Sequence, residues 1–196
     1  MGHDNEKLLR HAGPDRLFHW ATAATMTVLL VTSLVPMVGL RFAWYTIHWV
    51  SGLLLTLIIV LHILRAVFWQ KPAVMLLRGG DLAGKPAGKY TMPQKLMHLA
   101  WSVAVLVAIV TGLLLLRKAG VPFMERDPYV RSLAAWGVIT LLHDLATLLS
   151  VFLILVHVYF AVLPEKRGYL RSMISGRMTR AELAPEHDLA RVERGE

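Results

Sequence analysis

The chain contains no cysteine. That excludes disulfides, thiolate-ligated iron–sulfur clusters within the chain, and covalent haem attachment through C-x-x-C-H. Charge is scarce as well: Asp, Glu, Lys and Arg make up 17% of 196 residues while 56% are hydrophobic, and the mean hydropathy is +0.52. A chain this apolar is not an ordinary soluble domain, and a membrane protein is the class that remains. Acids are outnumbered, 13 against 21 Lys and Arg, for a formal charge of +8. The opening MGHDNEKLLRHAGPDRLFHW lacks a short apolar core followed by a small-residue cleavage site, so the first apolar run is expected to act as the insertion signal.

Four apolar runs are present, near 17–38, 42–69, 96–116 and 136–163, each about 20 residues or more and so long enough to span a bilayer. They predict an all-α membrane protein, a four-transmembrane-helix bundle forming one domain over 1–196 with a tail at 164–196. Three cations precede the first run (Lys7, Arg10, Arg16), six separate the second from the third (Arg65, Lys71, Arg78, Lys85, Lys89, Lys95) and seven follow the fourth. Only Arg41, Arg117, Lys118, Arg126 and Arg131 fall on the other side. The positive-inside rule puts both termini and the middle loop in the cytoplasm. The basic excess is thus topological, a match for anionic lipid headgroups and not for nucleic acid. The middle loop, rich in Gly, Pro and Lys, reads as irregular with a short interfacial helix around 72–78; its GGDLAGK has neither the spacing nor the following helix of a phosphate loop. The tail reads as a short surface helix or a frayed end, with His187 solvated.

Histidine carries the chemistry. His143 and His157 are fourteen residues apart in the fourth run, and His48 and His62 are fourteen apart in the second. Fourteen residues of α-helix rise about 21 Å and close to within about 40° of four turns, so each pair lies on one stripe near opposite membrane faces. Ionisable groups inside a span are costly and mark functional positions. Sorted by depth, the outer level holds His48 and His143, and the inner level holds His19, His62, His98 and His157. The outer pairing is unique; at the inner level the partner of His157 is His19, His62 or His98. A structural zinc site wants four donors in one place, and the outer level offers two His with at most Asp144, which is expected to sit near the outer boundary, with a hydrogen bond to an imidazole as its sharper alternative role. Haem needs only axial ligands, and two haems b stacked across the membrane fit this ladder. Gly52, one turn beyond His48, leaves room for a flat macrocycle, and Arg65 either snorkels to the inner headgroups or pairs with an acidic group of a cofactor.

In order along the chain, DRLFHW, IHWVSG, GKYTMPQKLM, VTG, LLHDLA, LVHVYFA and MISGRMTR resemble the di-haem cytochrome b subunits (gamma subunits) of respiratory formate dehydrogenases, within the group that includes hydrogenase cytochrome b and bacterial cytochrome b561. The resemblance covers about residues 14–185. It implies outer haem ligands His48 and His143 and inner ligands His19 and His157, leaving His62 and His98 as extras. It also implies a bacterial cytoplasmic-membrane protein that takes electrons from an iron–sulfur partner on the outer face, beside a catalytic subunit that carries the primary chemistry. The resemblance further implies that quinone is reduced near the cytoplasmic face, in the region of Lys89, Tyr90 and Gln94. Thr91 and Pro93 stand where the formate dehydrogenase pattern has Asn and Gly, and His98, a turn beyond Gln94, is a candidate replacement contact or proton shuttle. Two alternatives carry different consequences: a free-standing cytochrome b561-type quinone oxidoreductase, acting for example on superoxide, and a haem-free transporter or scaffold.

Overall fold

The computed structural model describes residues 5–70, 72–77, 79–82 and 86–194. Its elements, in order, are β1 (Lys7–Leu9), α1 (Gly13–Leu34), α2 (Trp44–Trp69), α3 (Gly79–Leu82), α4 (Met92–Ala119), α5 (Leu133–Val162), α6 (Arg167–Ser175), β2 (Arg177–Thr179), α7 (Arg180–Leu183) and α8 (Leu189–Glu193). Four helical stretches, Gly13–Val38, Trp44–Trp69, Met92–Ala119 and Leu133–Val162, are long and apolar enough to cross a membrane. They match the four expected runs, and three of them begin several residues earlier. Hydropathy marks only the part bathed in lipid, whereas a helix continues into polar turns that water or headgroups can solvate. Pro36 ends α1 in a 3-10 turn, Val35–Val38, which closes on Gly39 at φ 89. Many large apolar side chains on these helices face outward, among them Leu57, Val67, Val110, Phe152 and Leu155, as lipid contact requires.

The residues group into two compact units, Met1–Trp20 with His62–Ala100 and Leu155–Glu196, and Ala21–Leu61 with Trp101–Ile154, as far as these are described. The core of the second unit is Met26, Leu55 and Val105, packed by Leu29, Ile59, Trp101 and Ile109. Its loop end is tied down by Tyr45, whose hydroxyl donates to the Gly120 carbonyl (2.7 Å), and by Trp136, which donates to the Pro128 carbonyl (2.7 Å).

The first unit departs most from expectation. Around 72–78 there is a 3-10 turn at Pro72–Val74 in place of an interfacial helix; Lys71, Arg78 and Lys85 lie outside the described residues. The tail is neither frayed nor a lone helix. Gly176, at φ 83, ends α6 and turns the chain into β2, which pairs antiparallel with β1, Leu8 opposite Met178. Thr179 and Glu182 form a capping box that opens α7. The tail then folds back over the middle loop: Ala87 donates to the Glu186 carbonyl (3.1 Å) and receives the Asp188 amide (2.8 Å). Met178 and Leu183 are fully buried there, which is why the segment stays folded. His187, expected in solvent, is 3% exposed, held by the Tyr169 hydroxyl at 2.8 Å and the Gly88 carbonyl at 2.5 Å. Arg65 pairs with Asp15, which also accepts from Gln70 at 2.9 Å.

Candidate functional site

His48 on α2 and His143 on α5 face each other, ring centroids 6.3 Å apart and planes at 74°. A threonine on a neighbouring helix meets each ring. Thr32 Oγ1 on α1 lies 2.9 Å from His48 Nδ1, and Thr111 Oγ1 on α4 lies 2.8 Å from His143 Nδ1. Both threonines are almost fully buried. Beside Thr111, Gly112 makes space for the ligand ring: a methyl group there would sit 3.2 Å from His143 Cε1. No heavy atom comes within 4 Å of a methyl placed on Gly52. Asp144 is exposed and is not the hydrogen-bond partner of His143; one residue further along a helix points about 100° away.

In the other unit, His19 on α1 and His157 on α5 lie with ring centroids 6.1 Å apart and planes at 52°. His62 instead stacks on Phe18, centroids 3.9 Å apart and planes at 18°. His98, also in this unit, is within electrostatic reach of His62. The geometry thus brings His19, and not His62, opposite His157.

Two imidazoles bound to one metal from opposite sides, each through a bond of about 2 Å with the ring centre about 1 Å beyond, have centroids about 6 Å apart. Both pairs meet that separation. Among the described residues no group of three or more His, Cys, Asp or Glu could hold a metal ion. Each pair therefore suits a metal that arrives with its own equatorial donors and needs only two axial nitrogens, as haem iron does.

Residues 10–176 match the family model described as prokaryotic cytochrome b561. The chain belongs to the prokaryotic cytochrome b561 family. It is a haem-b-binding electron-transfer protein and, with four membrane-length helices, a multi-pass protein of the bacterial inner membrane. This cytochrome is similar to the formate dehydrogenase cytochrome b556 subunit of Haemophilus influenzae, 23% identical over 197 residues that cover 90% of this chain and 79% of the relative. It is similar also to the nitrate-inducible formate dehydrogenase cytochrome b556(Fdn) subunit of Escherichia coli, 23% identical over 199 residues, 88% of this chain and 85% of the relative.

Beside the His19 and His157 pair of the cytochrome, in the same unit, lies a basic cluster. Arg10 is 3% exposed; its guanidinium sits over the rings of Tyr169 (5.0 Å) and Tyr90 (5.9 Å) and reaches Gln94 Oε1 at 3.4 Å. Gln94 also accepts the Thr91 amide at 3.0 Å, and Lys89 Nζ lies 5.5 Å from the Tyr90 ring centre. Burial lowers the pKa of Lys89 and raises that of Tyr90. Burial, helped by the charges of Arg10 and Lys89, pulls His11 down to about 4. So Lys89, Tyr90 and Gln94 do come together, around an arginine that the sequence alone leaves among the topological cations. Neither Thr32 nor Thr111 is marked in the sequence as a histidine partner, although Thr111 lies in the VTG motif and V-T-S at 31–33 repeats its pattern on another helix.

Proposed function

We propose that this chain works as a single membrane domain, the di-haem b subunit of a respiratory oxidoreductase of the formate dehydrogenase type. It carries electrons from an iron–sulfur partner on the outer face to quinone near the cytoplasmic face, while a catalytic subunit on another chain handles the primary substrate. Both termini are cytoplasmic. The observation that carries this reading is the two opposed imidazole pairs, centroids 6.3 and 6.1 Å apart, each joining different helices. In it, His48 and His143 hold the outer haem and His19 and His157 the inner one, and His62 and His98 bind neither. Haem b supplies one-electron transfer when bound. His143 and His157, fourteen residues apart on α5, would give each haem one ligand from the same helix.

Lys89, Tyr90 and Gln94 would bind the quinone head, with Arg10 holding Gln94 and Tyr90 in place. Phe123, Tyr129 and Leu133 are 62%, 92% and 86% exposed next to Arg126 and Arg131, an apolar and cationic surface suited to a partner subunit. The match to formate dehydrogenase subunits over most of their length supports such a complex.

Haem content and reduced-minus-oxidised spectra of the purified protein test the ligand set. His48→Ala and His143→Ala should each remove one haem of two, His19→Ala and His157→Ala the other, and His62→Ala neither. Loss of the inner haem in His62→Ala with retention in His19→Ala would overturn the inner assignment. Copurification with iron–sulfur and catalytic chains is expected; a lone red protein that reduces quinone from a small donor would favour a free-standing cytochrome b561.

A further inference from the structure

A threonine hydroxyl has one proton. Thr32 Oγ1 lies 2.8 Å from the Val28 carbonyl and 3.0 Å from that of Leu29; Thr111 Oγ1 lies 2.6 Å from the Val107 carbonyl and 3.2 Å from that of Ala108. Carbonyls only accept, so when each hydroxyl gives its proton to its own helix, its oxygen faces the imidazole as an acceptor and the facing Nδ1 donates. With the proton on Nδ1, the lone pair of each neutral ring is on Nε2, the atom free to bind a metal.

We propose that Thr32 and Thr111 are positioning residues of the outer haem: they fix the tautomer and rotation of His48 and His143 and so set the potential and axial geometry of that haem alone. The proposal rests on the two-haem reading above. The arrangement is doubled. α1 supplies the hydroxyl for the histidine of α2, and α4 supplies it for the histidine of α5. Among the described residues no side chain hydrogen-bonds the ring of His19 or His157, so the two sites are buttressed differently. An Nδ1–H donated to a hydroxyl makes the imidazole a better electron donor and favours ferric iron. Valine keeps the shape of threonine and removes the acceptor, so the outer haem should become easier to reduce.

The test is redox titration and electron paramagnetic resonance of the purified holoprotein with Thr32→Val, Thr111→Val and both, alongside Thr→Ser. Ferric over ferrous preference at one haem should fall by up to about tenfold in the double variant, which is about 59 mV upward for one electron. The low-spin ferric signal of that haem, which depends on the angle between the axial rings, should shift as the rings lose their hold. The serine variants should restore both, and the second haem should not move. Two intact haems with an unchanged outer potential and signal in the valine variants would overturn the inference and leave the two-haem reading standing. Equal shifts at both haems would also overturn it. Wild-type protein without a bis-histidine spectrum would sink the reading underneath.

Discussion

His11 lies among Arg10, Lys89, Asp15 and His19, and its pKa of about 4 in the folded chain stands below the ordinary 6.5. Burial and the two cations exclude a proton there, so the unfolded chain binds more protons than the folded one, and stability rises with pH across that interval. The contribution is complete above pH 6.5 and is lost as the pH falls through 4. Burial lowers the pKa of His187 too, against the opposing hydrogen bond to Gly88, so it acts in the same direction. Protease resistance of the tail should therefore weaken between pH 6.5 and 4, and His11→Asn should flatten that dependence; an identical profile in the variant would show that the protons go elsewhere. At this scale the sequence is read unevenly. Six histidines stood out against apolar surroundings, and two pairs of them face each other. Thr32 and Thr111 did not stand out, because a threonine bonded to its own helix carbonyl is a commonplace of apolar helices and only the neighbouring helix reveals its second partner. His187 was misread because nothing local says that a polar tail will fold over a loop a hundred residues earlier.

The same contrast holds for elements. α1, α2, α4 and α5 could be located from hydropathy because lipid imposes one solution, a helix long enough to satisfy its own backbone across the bilayer. β1 and β2 could not, since three-residue strands carry no periodic signal and their pairing joins the two ends of the chain. Gly176 is the hinge of that pairing. It is left-handed at φ 83, and a Cβ there would lie 2.8 Å from the His11 carbonyl oxygen; Arg10 and His11 both donate to the Gly176 carbonyl, at 2.9 and 3.1 Å. Gly39 has a similar φ of 89 but nothing within 4 Å of its Cβ. Gly39→Ala should cost only the left-handed penalty, about 1–2 kcal/mol. Gly176→Ala adds a clash with backbone and should free β1, seen as faster tryptic cleavage at Lys7 and Arg10. Equal cleavage in the two variants would mean that the close approach at Gly176 is not what holds the strand.

For the whole molecule, direction matters as much as connectivity, because a transmembrane conductor is useful only if donor and acceptor lie on the correct sides. Cations sort strongly by loop, sixteen against five, yet net charge sorts less well. Arg65, Lys95, Lys166, Arg171 and Arg180 are paired with Asp15, Asp81, Glu186, Glu182 and both Glu6 and Glu193. Insertion responds to Lys and Arg themselves and little to nearby acids, so these pairs, formed after folding, do not weaken the orientation. The exposed ones among them contribute about 0–1 kcal/mol each, while Lys95 and Asp81 are nearly buried; together they let a strongly basic segment pack against itself. A fluorescent protein fused after Arg194 should therefore light up in the cytoplasm, and alkaline phosphatase fused there should be inactive. Phosphatase placed between Gly120 and Arg131 should be active. The reverse pattern would put the basic cluster of Arg10 and Lys89 on the outer side, exchange the entry and exit faces for electrons, and leave the proposed quinone site facing the wrong proton pool.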